Sequence, residues 1–166
     1  EFPRIGNLNI ELIVNFVERR GWWRICLGPV TNDRDRMDDK KLFLLDAYAL
    51  IYRAYYALIR APRITSTGFN SSAVFGFCNT LDEILRKENP SHIAVCFDPH
   101  GPTFRHELYS GYKAKREAQP EDISLSVPII KEIVEAYRIP VFEVPGYEAD
   151  DVIGTLSRMA SEQGYM

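Results

Sequence analysis

From Lys41 onward, short apolar runs alternate with stretches in which apolar residues recur every three or four positions. The runs "LFLLD" (42–46), "HIAVCFD" (92–98) and "PVFEV" (140–144) have strand length and are bounded by polar or turn-forming residues. A helical stretch follows the first run to about Leu58. A loop rich in Pro, Gly, Ser and Thr (61–71) then leads to Ser72, the predicted N-cap of a second helix. Val74, Phe77, Cys78, Leu81, Ile84 and Leu85 share one face of that helix, and "NPS" closes it. A third helix carries Val127, Ile130, Val134 and Tyr137 on its apolar side. A fourth opens near Ala149 and turns Val152, Ile153, Leu156 and Met159 inward. Strands separated by helices predict an α/β fold, with a mostly parallel central sheet, right-handed crossovers and helices on both faces.

That topology changes the meaning of the acidic residues. The first predicted strand ends in Asp46, the second in Asp98, and the third runs into Glu148, Asp150 and Asp151 of "GYEADDVIG". In a parallel sheet the C-terminal strand ends share one edge, where α/β folds bind ligands. Taken singly, these acids are ordinary helix starts, favoured by the macrodipole. Five converging on one rim instead suggest a cation site, because unit charges about 5 Å apart repel by roughly 3 kcal/mol at an effective dielectric near 20. Carboxylates without Cys or His partners favour hard cations, Mg²⁺ or Mn²⁺ rather than Zn²⁺. His92, His100 and His106 show no ligand spacing.

The 166 residues are 46% hydrophobic and 26% charged, as expected for one globular domain. The net charge of −3 gives no global sign of nucleic acid, so contact with it requires a local basic patch. Arg53 is one candidate, two helical turns and about 10 Å beyond Asp46. The long connection 99–122 supplies the others. If its "FRHELYSGYKAKR" segment is helical, Arg105, Tyr109, Tyr112 and Arg116 form a basic and aromatic stripe with Lys113 beside it, suited to a nucleic-acid backbone with exposed bases. Gly111 weakens that helix. Cys78 and Cys96 read as reduced thiols of a cytoplasmic protein, and Cys26 has no close cysteine neighbour. No apolar run is long enough for a membrane span, and no cleavage site follows residues 8–17.

The stretches "LFLLDAYALIYRAYYA", "AVCFDPHGPTFRHELYSGYKAKR" and "VPGYEADDVIGTL" closely resemble the 5′-nuclease domain of bacterial DNA polymerase I, of the flap endonuclease type, over about Lys40 to Met166. The resemblance implies a PIN-like, resolvase-like core. It makes Asp46, Asp98, Glu148 and Asp150 metal-site carboxylates, with Asp151 among or beside them. Lys113 and Arg116 would face the scissile phosphate and act in catalysis, while Arg53, Arg105, Tyr109 and Tyr112 would contact DNA. Two Mg²⁺ or Mn²⁺ ions would hydrolyse phosphodiester bonds at 5′ ends or flaps during replication and repair. Ala47 stands where the family usually has Gly, which leaves Asp46 in place.

The chain stops at Met166, where the family's next strand is expected. The resemblance therefore implies roughly the first half of a nuclease domain, an incomplete second metal site and a polymerase domain in the full-length protein. Low activity and self-association through an open sheet edge are expected of the short chain. Residues 1–36 read as a leader of cloning or read-through origin, and 37–166 as the N-terminal part of the exonuclease domain. A PIN-type ribonuclease and a non-catalytic DNA- or metal-binding fragment are the alternatives. The long connection 99–122 favours the DNA nuclease over the compact PIN ribonucleases.

Overall fold

The computed structural model describes residues 41–114 and 116–166. The leader assigned to residues 1–36 lies outside them. Three parallel strands, β1 (Leu42–Asp46), β2 (His92–Phe97) and β3 (Val141–Glu143), lie in the order β1-β2-β3. In register, Asp46 pairs with Cys96, and Phe97 pairs with Glu143, so all three C-terminal ends reach one edge. This is the predicted α/β resolvase-like arrangement.

The central strand β2 is buried along its whole length, as the unbroken apolar run requires. Its side chains alternate between two cores. Ile93, Val95 and Phe97 face one core with Leu45, Ile51, Phe77, Leu81, Ile123, Ile130 and Val134. That core is built from α1 (Ala47–Ala57), α2 (Ser72–Glu83) and α4 (Glu121–Ala136). Ala94 and Cys96 point to the opposite core, formed with Phe142 and the Ala149, Val152, Leu156 and Ala160 face of α5 (Ala149–Glu162). Each fully buried large side chain, such as Phe77, Phe97 or Leu156, contributes about 1.5–3 kcal/mol.

Local chemistry sets the boundaries. The N-cap of α2 is Ser71, one residue before the predicted Ser72. The Ser72 hydroxyl accepts the Arg63 amide at 2.8 Å, while Asn70 Oδ1 accepts the Ser72 amide at 3.1 Å. Ser72 thus ties the preceding loop to the helix. Helix α2 passes into a turn of π-helix, Ile84–Glu88, which Asn89 closes in a left-handed conformation. Helices α1 and α2 come close at Gly76, where an added Cβ would lie 2.5 Å from the Ala54 Cβ.

The connection after β2 departs from the stripe expected of it. Among its described residues only α3 (Phe104–Leu108) is helical. Tyr109 is extended, and Lys113 adopts a left-handed backbone with φ of 56°. Arg105, Tyr109, Tyr112 and Arg116 therefore do not share one helix face. After α5 the chain returns to the outer side of β1, where the Leu42 amide donates to the Met166 carbonyl at 2.8 Å. A groove of about 340 Å³ runs along this side, lined by Leu42, Leu44, Ile153, Ala160 and Tyr165 among others. Among the described residues no helix is long and apolar enough to cross a membrane.

Candidate metal and nucleic-acid site

The site forms where β1, β2 and the start of α5 end on the same edge. Asp46 is the N-cap of α1, and its Oδ1 accepts the Ala49 amide at 3.0 Å. Asp98 follows β2 directly, and its Oδ1 accepts the Ala149 amide at 2.7 Å. Glu148 caps α5, with Asp150 and Asp151 in its first turn. The helix start and the strand ends are thus one feature, since the acids that suit the α5 macrodipole also sit on the rim.

Two electrostatic environments divide these carboxylates. Burial raises the Asp46 pKa above its ordinary value of 3.8, and the charges of Asp150 and Asp98 raise it further, against the lowering effect of the Ala49 hydrogen bond. Glu148 and Asp151 are instead matched by cations. Burial pushes Glu148 up, but Lys113 and Tyr112 outweigh it and hold the carboxyl below the usual range. Lys113 Nζ donates to Glu148 Oε1 at 2.7 Å, and the Tyr112 hydroxyl donates to Oε2 at 3.0 Å. Asp151 is held low chiefly by Arg105, whose Nη1 and Nη2 donate to Oδ2 and Oδ1 at 2.5 and 2.7 Å.

Arg105 and Lys113 of the long connection therefore meet the acids after all, from a folded turn and not from a helical stripe. Its base is anchored: the Phe104 amide donates to the Gly146 carbonyl at 2.9 Å, and the Phe104 and Tyr147 rings pack 5.6 Å apart. His106 Nδ1 bonds back to the Thr103 amide and hydroxyl. Tyr109 projects into solvent. Arg116 is exposed, and its charge is close enough to act on the Tyr52 hydroxyl. Arg53 turns toward α2 and donates to Thr80 Oγ1 at 3.4 Å.

Tyr48, not singled out from the sequence, packs edge-on against Phe97 and feels the Asp98 charge. Its only sequence signal is its place two residues after the strand-end Asp46. In this arrangement no group of three or more His, Cys, Asp or Glu side chains among the described residues is positioned to hold a metal ion. Glu148 and Asp151 face the basic turn, while the charges of Asp150 and Asp98 act on Asp46.

Residues 41–166 match the family model of the N-terminal resolvase-like domain of 5′-3′ exonucleases. Similar proteins include the DNA polymerase I of Treponema pallidum, 47% identical over 128 residues, covering 76% of this chain and 13% of that protein. The DNA polymerase I of Bacillus caldotenax is 42% identical over 127 residues, covering 76% of this chain and 14% of the polymerase. A 5′-3′ exonuclease of Aquifex aeolicus is 40% identical over 126 residues, again covering 76% of this chain but 43% of the relative. The chain thus spans a small part of the polymerases and less than half of the exonuclease. A match over the entire described core places the chain in the 5′-3′ exonuclease family, within the N-terminal resolvase-like domain.

Proposed function

We propose that residues 37–166 serve as the N-terminal part of a metal-dependent nuclease that hydrolyses phosphodiester bonds at DNA 5′ ends or flaps. The observation that carries this reading is the meeting of the parallel strand ends at Asp46 and Asp98 with the acidic start of α5 on one edge, where burial, and then the charges of Asp150 and Asp98, raise Asp46. Carboxylate oxygens are the donors that Mg²⁺ or Mn²⁺ favours, and these side chains would have to draw together to enclose one. Asp46, Asp98, Glu148 and Asp150 would hold the cation, Glu148 by leaving Lys113. When bound, such ions supply an activated water and stabilise the attacking and leaving oxygens.

The chain's own residues do the rest. Lys113 and Arg116 receive the scissile phosphate, and Lys113 balances the charge that builds on it. Arg53, Tyr109 and Tyr112 hold the backbone and bases on either side. The role belongs to replication and repair in the cytoplasm, beside a polymerase domain in the full-length protein. Cleavage of a 5′-flap DNA in Mg²⁺ by the chain extended through the rest of the nuclease domain, with single-stranded RNA as comparison, tests the reading. Flap cleavage that Asp98→Asn abolishes and Lys113→Ala slows about a hundredfold or more supports it. Cleavage of the RNA alone would instead indicate a PIN-type ribonuclease. Metal binding with neither cleavage would indicate a binding module.

A further inference from the structure

We infer that Arg105 is a positioning residue that fastens the basic turn to the start of α5, and that Asp151 is its anchor and not a cation ligand. Both Asp151 oxygens are engaged by the Arg105 guanidinium, and Oδ2 also accepts the Glu148 amide at 3.0 Å. The Asp151 side chain is 4% exposed and Arg105 only 30%, with Arg105 stacked 4.7 Å over the Phe104 ring. A planar, two-pronged pair of this kind fixes direction as well as charge. Arg105 Nη1 also stands 3.8 Å from Glu148 Oε2, so the clamp sets the position of the neighbouring carboxylate through both its amide and its side chain.

A DNA contact by Arg105 would have to use the N–H groups that Asp151 leaves over, and a cation on Asp151 would have to share its oxygens with the guanidinium and the Glu148 amide. Glu148 differs, because Lys113 reaches it from a left-handed residue at the tip of the turn. The base of the turn is thus fixed while its tip remains exchangeable. This rests on the nuclease reading only in taking Glu148 as a ligand; the clamp itself stands on the Arg105–Asp151 geometry.

The test uses the 166-residue chain and three readouts: amide hydrogen exchange over 103–113 and 147–152, Mn²⁺ binding by magnetic resonance of the free ion, and the salt dependence of DNA affinity. Arg105→Ala and Asp151→Asn should each speed exchange in both segments by about tenfold, and the double variant by no more than either. Arg105→Lys, which keeps charge and most packing, should recover part of the protection and guards against an unfolded alanine variant. Asp151→Asn should leave the Mn²⁺ Kd within about threefold, whereas Asp98→Asn should raise it about tenfold or more. Arg53→Ala should lower the salt slope by about one, and Arg105→Ala should leave it unchanged.

Unchanged exchange in Arg105→Ala, or Mn²⁺ binding as weak in Asp151→Asn as in Asp98→Asn, would overturn the proposal. If Asp98→Asn binds Mn²⁺ normally, the metal reading fails, and hydrogen exchange still decides the clamp.

Discussion

Asp98 reaches across 51 residues of sequence to accept the Ala149 amide at 2.7 Å, joining the end of β2 to the first residue of α5. One carboxylate therefore has a structural bond on Oδ1 and a charge facing the acidic cluster. These functions separate on substitution. Asp98→Asn retains an acceptor and should melt within a few degrees of wild type without metal, while losing most of the Mn²⁺ stabilisation. For wild type that stabilisation is about 2.7 kcal/mol at a hundred times Kd. Asp98→Ala removes the acceptor as well and should cost about 1 kcal/mol even without metal. Thermal melts of the three proteins with and without Mn²⁺ check this, and equal metal shifts in all three would exclude Asp98 as a ligand.

Gly76 gives the second prediction, in which packing reverses a helix propensity. At an exposed mid-helix position, Gly to Ala stabilises by about 1 kcal/mol. Here the new methyl would meet the Ala54 Cβ at 2.5 Å and its Cα at 3.2 Å, so α1 and α2 must part. Gly76→Ala should therefore destabilise by about 1–3 kcal/mol. Because Asp46 caps α1, Mn²⁺ binding should weaken along with it. A raised melting temperature would contradict the close approach.

Acid should weaken the Arg105–Asp151 pair in a defined direction. Asp151 has a folded pKa below its ordinary 3.8, chiefly through Arg105. Its contribution is present in full above the unfolded value and is lost as pH falls through the folded one. Urea midpoints of wild type and Asp151→Asn should differ by the equivalent of about 1–3 kcal/mol at neutral pH. The gap should persist to about pH 5 and close in stronger acid. A gap that widened in acid would show that the carboxylate is not held ionised by its partner.

The thiols supply a fourth test. Cys96 lies fully buried in the β2 core facing α5, and burial, aided by the Asp46 charge, pushes its pKa up to about 12. At pH 8 roughly one molecule in ten thousand would carry the thiolate. Cys78 is half-buried on α2 and also raised by burial. Alkylation of the native chain, read by peptide mass, should modify Cys78 well before Cys96. Equal rates would mean that the sheet opens readily on the α5 side.

Much of this architecture is legible because β2 and its neighbours have short apolar runs, and parallel strands force Asp46, Asp98 and Glu148 to one edge. Periodicity cannot show which side each β2 residue faces, since "HIAVCF" is buried on both. The α2 cap falls one position before the predicted Ser72, whose hydroxyl accepts the Arg63 amide rather than a helix amide, while the Ser71 hydroxyl donates to the Arg63 carbonyl. The basic stripe fails for a different reason. Tyr109 is extended and Lys113 is left-handed, so the "YSGYK" segment folds back as turns. Its partners, Glu148 and Asp151, lie 35 and 46 residues away from Lys113 and Arg105, beyond any local spacing rule.

The hydrogen bond from Leu42 to Met166 gives β1 a neighbour on the side away from β2. Helices α1, α2 and α4 cover one face of the sheet, while α5 crosses the other to bring the chain back. The winding direction reverses about β1, although β1 comes first in the described chain. At such a reversal the connections on either side diverge, leaving an open crevice at the carboxyl end of the pivot strand. Asp46 stands at that pivot, so its place on the rim is a property of the path of the chain and would survive wide change in the residues that pack the two cores.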